Sequence, residues 1–282
     1  MNDDARARTT VAQAWQAAVQ RGLERIDAQA LLAHVLDLPP GRARAWLLAH
    51  DTDPLPPAQL ARYEALVQRR ATGEPLAYLV GTREFYGLTL AVTPAVLVPR
   101  PDTETLVDWA VELLRPLPAP RVADLGTGSG AIALALKHSL PQAEVSAVDL
   151  SAEALAVARA NGERLGLAVQ WLHGSWLEPL AGRRLEMIVS NPPYIADGDP
   201  HLPALQHEPE RALTSGPDGL DDLRRIVAAA PHHLLPGGWL LLEHGHDQAE
   251  AVQALLREAG FQRIQTRHDL GHRPRCTGGR WN

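Results

Sequence analysis

Beyond Pro120 short runs of aliphatic and β-branched residues alternate with longer stretches of helical apolar period, and this alternation restricts the fold more than any other feature of the chain. Strands are expected at 122–125, 144–149, 169–173, 186–190, 239–243, 263–266 and 276–281. Helices are expected between them over about 129–140, 152–165, 220–235 and 248–259. A chain that keeps returning from helix to strand builds a mostly parallel sheet with helices on both faces. Sheets of this α/β class bind ligands at the carboxyl ends of their strands, so functional residues are sought in the segments that follow each strand.

The part before Gly73 has a different texture. From Thr10 to Thr72 it is rich in Ala and Leu and has no strand-like alternation. Val11, Ala14, Trp15 and Ala18 share one helical face, and Ile26, Ala30, Leu31, His34, Val35 and Leu38 repeat the spacing, with Asp27 opening that segment and Pro39-Pro40-Gly41 closing it. Two more helices are expected over 42–49 and 57–70, which makes a small N-terminal helical bundle of about four helices. Such a bundle is either a structural cap or a docking module for a macromolecular substrate. Gly73-Glu74-Pro75 breaks the pattern, and Phe85-Tyr86-Gly87-Leu88-Thr89-Leu90 reads as a hairpin. The expected division is therefore 1–73 for the helical domain, 74–98 for a hairpin linker and 99–282 for the α/β domain. Asp102 or Thr103 is the expected cap of the helix that runs through Trp109.

With 282 residues, of which 45% are hydrophobic, two ordinary domains can each bury a core. A single cysteine, Cys276, rules out an intrachain disulfide. The polar start Met1-Asn2-Asp3-Asp4 lacks the apolar stretch of a signal peptide, and no run reaches the roughly 20 apolar residues of a membrane helix. A cytoplasmic protein with no membrane partner is expected. The net charge of −6 speaks against a broad, sequence-independent grip on nucleic acid, which needs many basic contacts to phosphate.

Two motifs carry chemistry. Asp124-Leu125-Gly126-Thr127-Gly128-Ser129-Gly130 lies between the first α/β strand and its helix, where glycines allow a tight turn and close backbone approach to a nucleotide. Asp149, at the end of the next strand, is placed to accept hydrogen bonds from two ribose hydroxyls. Asp124 at the mouth of the turn would repel a pyrophosphate and attract a cation, which favours S-adenosyl-L-methionine, with its ammonium and sulfonium, over a dinucleotide.

The second motif, Asn191-Pro192-Pro193-Tyr194, follows the strand ending at Ser190. Two prolines have no N–H and a fixed φ, so the backbone leaves the ladder and its carbonyls stay free as acceptors beside the Asn191 side-chain oxygen. Tyr194 offers a flat face for a planar group. These are the features of a site for a planar NH₂ group with two hydrogens to donate. No metal is expected, since His232-His233 and His244-Gly245-His246 lack an ordinary zinc spacing.

Together Asp124–Gly130, Asp149 and Asn191–Tyr194 resemble a class I S-adenosylmethionine-dependent methyltransferase of the amine or amide type. Gly81-Thr82-Arg83-Glu84-Phe85-Tyr86, Val98-Pro99-Arg100-Pro101-Asp102-Thr103-Glu104, Ser190–Ile195, Asp218-Gly219-Leu220-Asp221 and Asp269-Leu270-Gly271 extend the similarity to the PrmC/HemK family, the protein-(glutamine-N5) methyltransferases of class I peptide chain release factors. The resemblance implies a five-helix N-terminal domain, a hairpin linker and a Rossmann-like seven-stranded catalytic domain whose last strands are antiparallel. It further implies that Gly126, Thr127, Gly128, Ser129, Gly130, Asp149 and Trp176 bind cofactor, with Asn191 contributing. Asn191, Pro192, Pro193 and Tyr194 would form the glutamine site, with Asn191, Pro192 and Tyr194 catalytic. The protein substrate it implies is a class I release factor, with no direct nucleic-acid substrate. Arg100 and Glu104 stand in a family motif, acting either on substrate or as braces of the linker. Two rival functions use the same residues: methylation of an adenine amino group, and a non-catalytic S-adenosylmethionine-binding module.

Overall fold

The computed structural model describes residues 9–282, which fall into two compact units, one ending at Gly81 and the other beginning at Thr82. The first unit is a bundle of α1 (Val11–Gln20), α2 (Arg25–Val35), α3 (Pro40–Ala49), α4 (Pro57–Ala71) and α5 (Leu76–Val80). Thr10 starts α1 with a capping box: its hydroxyl accepts from the Gln13 N–H at 3.2 Å while the Gln13 side chain accepts from the Thr10 N–H at 2.9 Å. Val11, Ala14, Leu31, Leu32, Val35, Tyr63, Val67 and Leu79 are buried in one core. The Tyr63 hydroxyl donates to the Ala28 carbonyl at 3.1 Å, which satisfies a polar atom that would otherwise be stranded among the helices.

Two details depart from the sequence pattern. Ile26 is 70% exposed, because α2 begins at Arg25 and turns Ala28, Leu31, Leu32 and Val35 to the core in place of the face that starts at Ile26. Asp27, on the same first turn, is held by Arg70 of α4 at 2.7 Å. The fifth helix is too short to show an apolar period. It nevertheless belongs to the bundle through Leu79 and closes on Gly81, which is left-handed at φ 77°.

The second unit opens with a hairpin of β1 (Thr82–Phe85) and β2 (Leu88–Ala91). Its turn residues Tyr86 and Gly87 both have positive φ, 52° and 75°, the backbone twist that a two-residue hairpin loop demands. After a tight turn at Pro101–Thr103, α6 (Glu104–Leu114) leads into a seven-stranded sheet. Its strands are β3 (Arg121–Leu125), β4 (Glu144–Asp149), β5 (Gln170–His173), β6 (Leu185–Ser190), β7 (Leu234–Glu243), β8 (Gln262–His268) and β9 (Pro274–Arg280). In space they run β5-β4-β3-β6-β7-β9-β8, with β9 antiparallel to both of its neighbours and the other pairings parallel.

Helices α7 (Ala131–Ser139), α8 (Ala152–Leu165), α9 (Asp221–Ala229) and α10 (Ala249–Glu258) complete the α/β alternation. Successive strand residues serve opposite cores, as the pleat requires: Met187 and Val189 join α6 and α7 on one face, while Ile188 joins α9 and α10 on the other. The helix expected over 220–235 stops at Ala229, and β7 starts at Leu234, pairing with Leu185 ahead of an irregularity in register. Strand order reverses between β3 and β6, so a crevice opens at their carboxyl ends. There the buried Ser190 hydroxyl donates to the Leu125 carbonyl at 2.7 Å and ties the two strand ends together.

Candidate active site

Three glycines shape the loop after β3. Gly126, Gly128 and Gly130 have φ of 71°, 56° and 84°, a region that costs an ordinary side chain energy. The loop is held by the N–H groups of Gly126 and Thr127, which donate to the Val148 carbonyl at 2.9 and 3.0 Å. Asp149, at the end of β4, accepts from the Gly128 N–H and from the Ser151 N–H, each at 2.8 Å. The acid therefore sets the loop geometry while its side chain borders the crevice. Trp176 faces the loop so closely that a Cβ on Gly126 would lie 3.3 Å from its ring.

These residues border a cavity of about 330 Å³, lined by Gly126, Thr127, Gly128, Ser129, Asp149, Leu150, Trp176, Thr103, Asn191 and Pro193 among others. Gly130 is not part of the lining. Its Cβ would meet Leu134, Ala158 and Trp171 at 3.1–3.2 Å, so its bareness serves the packing of the loop against α8.

Asp124 is fully buried under the loop. Its Oδ2 accepts from the Thr127 hydroxyl at 2.6 Å and the Ala133 N–H at 3.1 Å, whereas its Oδ1 has no partner. Burial pushes its pKa up to about 7, against the pull of those two donors. An orphaned carboxylate oxygen beneath a glycine loop suits a cationic group in the crevice and does not suit a phosphate. The donor set and the glycine cradle therefore fit S-adenosylmethionine.

Asn191 lies at the other side of the crevice. Its Nδ2 donates to the Thr103 hydroxyl at 3.3 Å, while its Oδ1 and the Pro192 carbonyl have no donor from the described residues. Both acceptors are thus free for a ligand. Pro193 lines the cavity, whereas Pro192 is buried and Tyr194 lies outside the lining. The Tyr194 ring packs into the core with Trp176, and burial raises its hydroxyl pKa above the usual tyrosine value, helped by the nearby Glu243. Gly219, at φ 73°, explains why a glycine stands in Asp218-Gly219-Leu220-Asp221. A Cβ there would fall 2.2 Å from the Tyr194 carbonyl, which also accepts from the Gln248 side chain at 3.0 Å.

The neighbouring motif residues make contacts within the fold, and Arg100 also borders the cavity. The Glu104 carboxylate accepts from the Tyr86 N–H at 3.0 Å, and Arg100 pairs with the buried Glu208. Neither Asp102 nor Thr103 caps α6 through its side chain, because each is engaged elsewhere: Asp102 meets Arg275 at 3.1 Å and Thr103 meets Asn191. His244, suggestive in sequence, is buried with Nδ1 at the Gly245 carbonyl and Nε2 at the Thr277 hydroxyl, 2.8 and 2.7 Å away. Among the described residues no group of three or more His, Cys, Asp or Glu side chains is arranged to hold a metal ion.

Several site residues escape a reading of motifs. Asn161, fully buried on α8, accepts from the Ala91 N–H at 2.7 Å and donates to the Ala91 and Ser129 carbonyls at 2.9 and 3.0 Å, so it fastens the hairpin to the glycine loop. An asparagine on the apolar face of a predicted helix is the one signal that could have found it. Leu150 is 61% exposed yet borders the cavity, and Glu243 is buried at the end of β7 beside the Asn191 strand.

Comparison with known proteins bears on the family and the fold. Residues 7–81 match the PrmC N-terminal domain family and residues 104–266 match the methyltransferase small domain family. The chain is 55% identical over 261 residues to a release factor glutamine methyltransferase of Bordetella pertussis, covering 92% of this chain and 95% of that protein. It is 52% identical to the protein of the same name from Xylella fastidiosa strain Temecula1, covering 94% and 96%. Among solved structures, a T. thermophilus 16S rRNA N2 G1207 methyltransferase in complex with AdoMet and guanosine is similar with a TM-score of 0.54 at 24% identity, over 71% of this chain and 50% of that one. The catalytic domain of human Mettl16 is similar with a TM-score of 0.57 at 15% identity, over 80% of each chain. These two likenesses concern the fold.

Proposed function

This chain belongs to the PrmC/HemK family of release factor glutamine methyltransferases, and we propose that it transfers a methyl group from S-adenosylmethionine to the side-chain amide nitrogen of the glutamine in the Gly-Gly-Gln motif of class I peptide chain release factors. The observation that carries this reading is the 55% identity to a protein of that name across nearly the whole of both chains. Among the described residues no helix is long and apolar enough to cross a membrane, and we place the activity in the cytoplasm, where translation factors are found.

When bound, S-adenosylmethionine supplies an electrophilic methyl group on a sulfonium. Gly126–Ser129, Asp149 and Trp176, which line the cavity, are the residues that would hold it, above the buried charge of Asp124. The rest of the task belongs to Asn191 and Pro192. A glutamine amide nitrogen is a poor nucleophile because its lone pair is shared with the carbonyl. The Asn191 Oδ1 and the Pro192 carbonyl, both without a protein donor, accept its two N–H groups, fix the direction of the lone pair and stabilise positive charge as it develops on nitrogen. Selecting one glutamine of a folded protein calls for contacts remote from the nitrogen, and the N-terminal bundle is the domain to which we assign them.

The test is methyl transfer from labelled cofactor offered in parallel to a release factor, to ribosomal proteins and to DNA. Label on the glutamine of the release factor alone is the expected result; label on DNA adenine in its place would refute the reading.

A further inference from the structure

The Asn191 side chain is held by the Thr103 hydroxyl, which accepts from its Nδ2 at 3.3 Å. The two residues have different supports. Asn191 follows β6 and so belongs to the sheet, whereas Thr103 ends the Pro101–Thr103 turn ahead of α6. That turn closes through the Thr103 N–H, which donates to the Arg100 carbonyl at 3.2 Å, and a single turn of 3₁₀ geometry is weakly held by its own bonds. Its place is therefore set by contacts from outside.

Arg100 pairs with Glu208, which also accepts from the Val98 N–H at 3.1 Å; Glu104 accepts from the Tyr86 N–H at 3.0 Å; and Asp102 pairs with Arg275 at 3.1 Å. Glu208 stands in the segment between β6 and α9, and Tyr86 in the hairpin turn. Of these partners, Arg275 is the one on the sheet that carries Asn191. Ser190 pairs with Leu242 and Leu242 with Thr277, so one row crosses β6, β7 and β9. Asn191 lies one residue past Ser190, and Arg275 two before Thr277. Because β9 is antiparallel to β7, both stand at the same end of the sheet, the carboxyl end of β6 and β7.

The guanidinium is itself fixed. Arg275 Nε and Nη2 donate to Asp269 Oδ2 at 3.2 and 3.1 Å, Asp269 Oδ1 accepts from the Arg273 N–H at 3.0 Å, and the Arg275 carbonyl accepts from the His244 N–H at 3.0 Å. Asp269 alone already matches the arginine charge. The Asp102 side chain, 49% exposed, is solvated and needs no cation to offset burial. Neither charge nor burial requires the Asp102 contact, yet it joins the sheet to the residue next to Thr103. We infer that Arg275 is a positioning residue for the transfer step: through Asp102 it fixes the Pro101–Thr103 turn to the sheet and keeps the Thr103 hydroxyl on the Asn191 amide.

The inference rests on the proposed methyl transfer to glutamine. There the Asn191 Oδ1 and the Pro192 carbonyl aim the substrate lone pair, and a small misalignment of such groups costs rate far more than binding. A turn free to drift releases Asn191 and leaves the glycine loop, which follows β3, as it was.

The experiment measures single-turnover methylation of release factor by the full chain across release-factor concentrations, with calorimetric titration of S-adenosylmethionine alongside. Asp102→Ala and Arg275→Met should each lower the maximal rate by about 5- to 30-fold, with half-saturating release factor and cofactor Kd within about twofold. Combined, they should lose no more than the larger single loss, since both cut one contact. In an Asn191→Ala background neither should lower the remaining rate further, which a general loosening of the fold would do. A wild-type maximal rate in Asp102→Ala, a loss that falls on half-saturation or cofactor Kd instead, or the same fold loss with and without Asn191 overturns the inference. Arg275→Met leaves the buried Asp269 without its cation; should it not fold, Asp102→Ala, at a half-exposed position, decides alone. If Asn191→Ala is slow while Asp102→Ala matches the wild type, only the positioning role is wrong. If Asn191→Ala keeps full turnover, or the wild type leaves release factor unmethylated, the proposed function falls and the positioning role with it.

Discussion

Asp124→Asn offers a measurement in which stability and ligand binding move in opposite directions. The carboxyl is raised from 3.8 to about 7 by burial. At about 1.36 kcal/mol for each pH unit, that change corresponds to ~4 kcal/mol. The folded pKa lies above the unfolded one, so the folded state holds the proton more tightly. The resulting stabilisation is fully present below the unfolded value and disappears as pH rises through about 7. Asparagine does not titrate. Its oxygen can keep the Thr127 and Ala133 hydrogen bonds while its NH₂ takes the place of the unpartnered Oδ1. Relative to the wild type, the variant should therefore gain stability with rising pH, by an amount on the order of 4 kcal/mol between about pH 4 and pH 7. Over the same range its affinity for S-adenosylmethionine should fall behind, because the variant lacks the negative charge that the ionised wild type carries beneath the glycine loop, by ~10-fold in Kd. Urea unfolding at a series of pH values and calorimetry give the two quantities. A wild-type-to-variant difference in stability that stays flat across the range would falsify the raised pKa, and an unchanged Kd would remove Asp124 from cofactor recognition.

Asp149→Ala removes an acceptor from the crevice and also frees the Gly128 N–H, so cofactor binding should weaken by about 1–3 kcal/mol or more in calorimetry; an intact, unperturbed Kd would take Asp149 out of the site. Asn191→Ala should reduce single-turnover methylation by about 10²–10³ while cofactor affinity changes far less, and near-normal turnover would leave the acceptor mechanism without support. Gly219→Ala meets both a φ of 73° and a backbone oxygen 2.2 Å from its new Cβ; a loss of roughly 1–3 kcal/mol in unfolding free energy and a displaced Tyr194 backbone should follow, and a crystal structure with that backbone unmoved would contradict it.

Much of the second unit was legible because its signals are local. A strand, a glycine turn and an acid at the next strand end are each contained within a few residues, and their order already implies a crevice at the carboxyl ends. The bundle was harder to read at its edges. Leu76–Val80 has only five residues, too few for a helical period, and its place with the other helices depends on Leu79 reaching a core made by segments far from it in sequence. The core-facing stripe of α2 is ambiguous in sequence for a related reason. Both choices of apolar stripe fit the spacing, and packing on other helices selects the one that leaves Ile26 outside.

The site residues missed by motif reading share a physical property that explains the omission. Thr103, Asn161 and Glu243 are polar groups whose partners lie across the chain: Thr103 meets Asn191 from 88 residues away, and Asn161 meets Ala91 from 70. In sequence each looks unremarkable, as a helix cap, a helical asparagine and the last residue of a strand. Their burial changes that, since a buried polar group has to find a partner or incur a desolvation penalty. Asn161 is satisfied at both ends and works as a fastener. Glu243 and Asp124 are not satisfied, each keeping one oxygen without a partner. Asp124 lies beneath the glycine loop, and Glu243 ends β7, the strand next to the one that Asn191 follows. Structural ion pairs would have neutralised them within the fold, as Arg275 does for Asp269. Both lie at or near the carboxyl ends of parallel strands, where folds of this class place their ligands, and the Asp124 charge beneath the loop is the one we assign to the cofactor's positive charge.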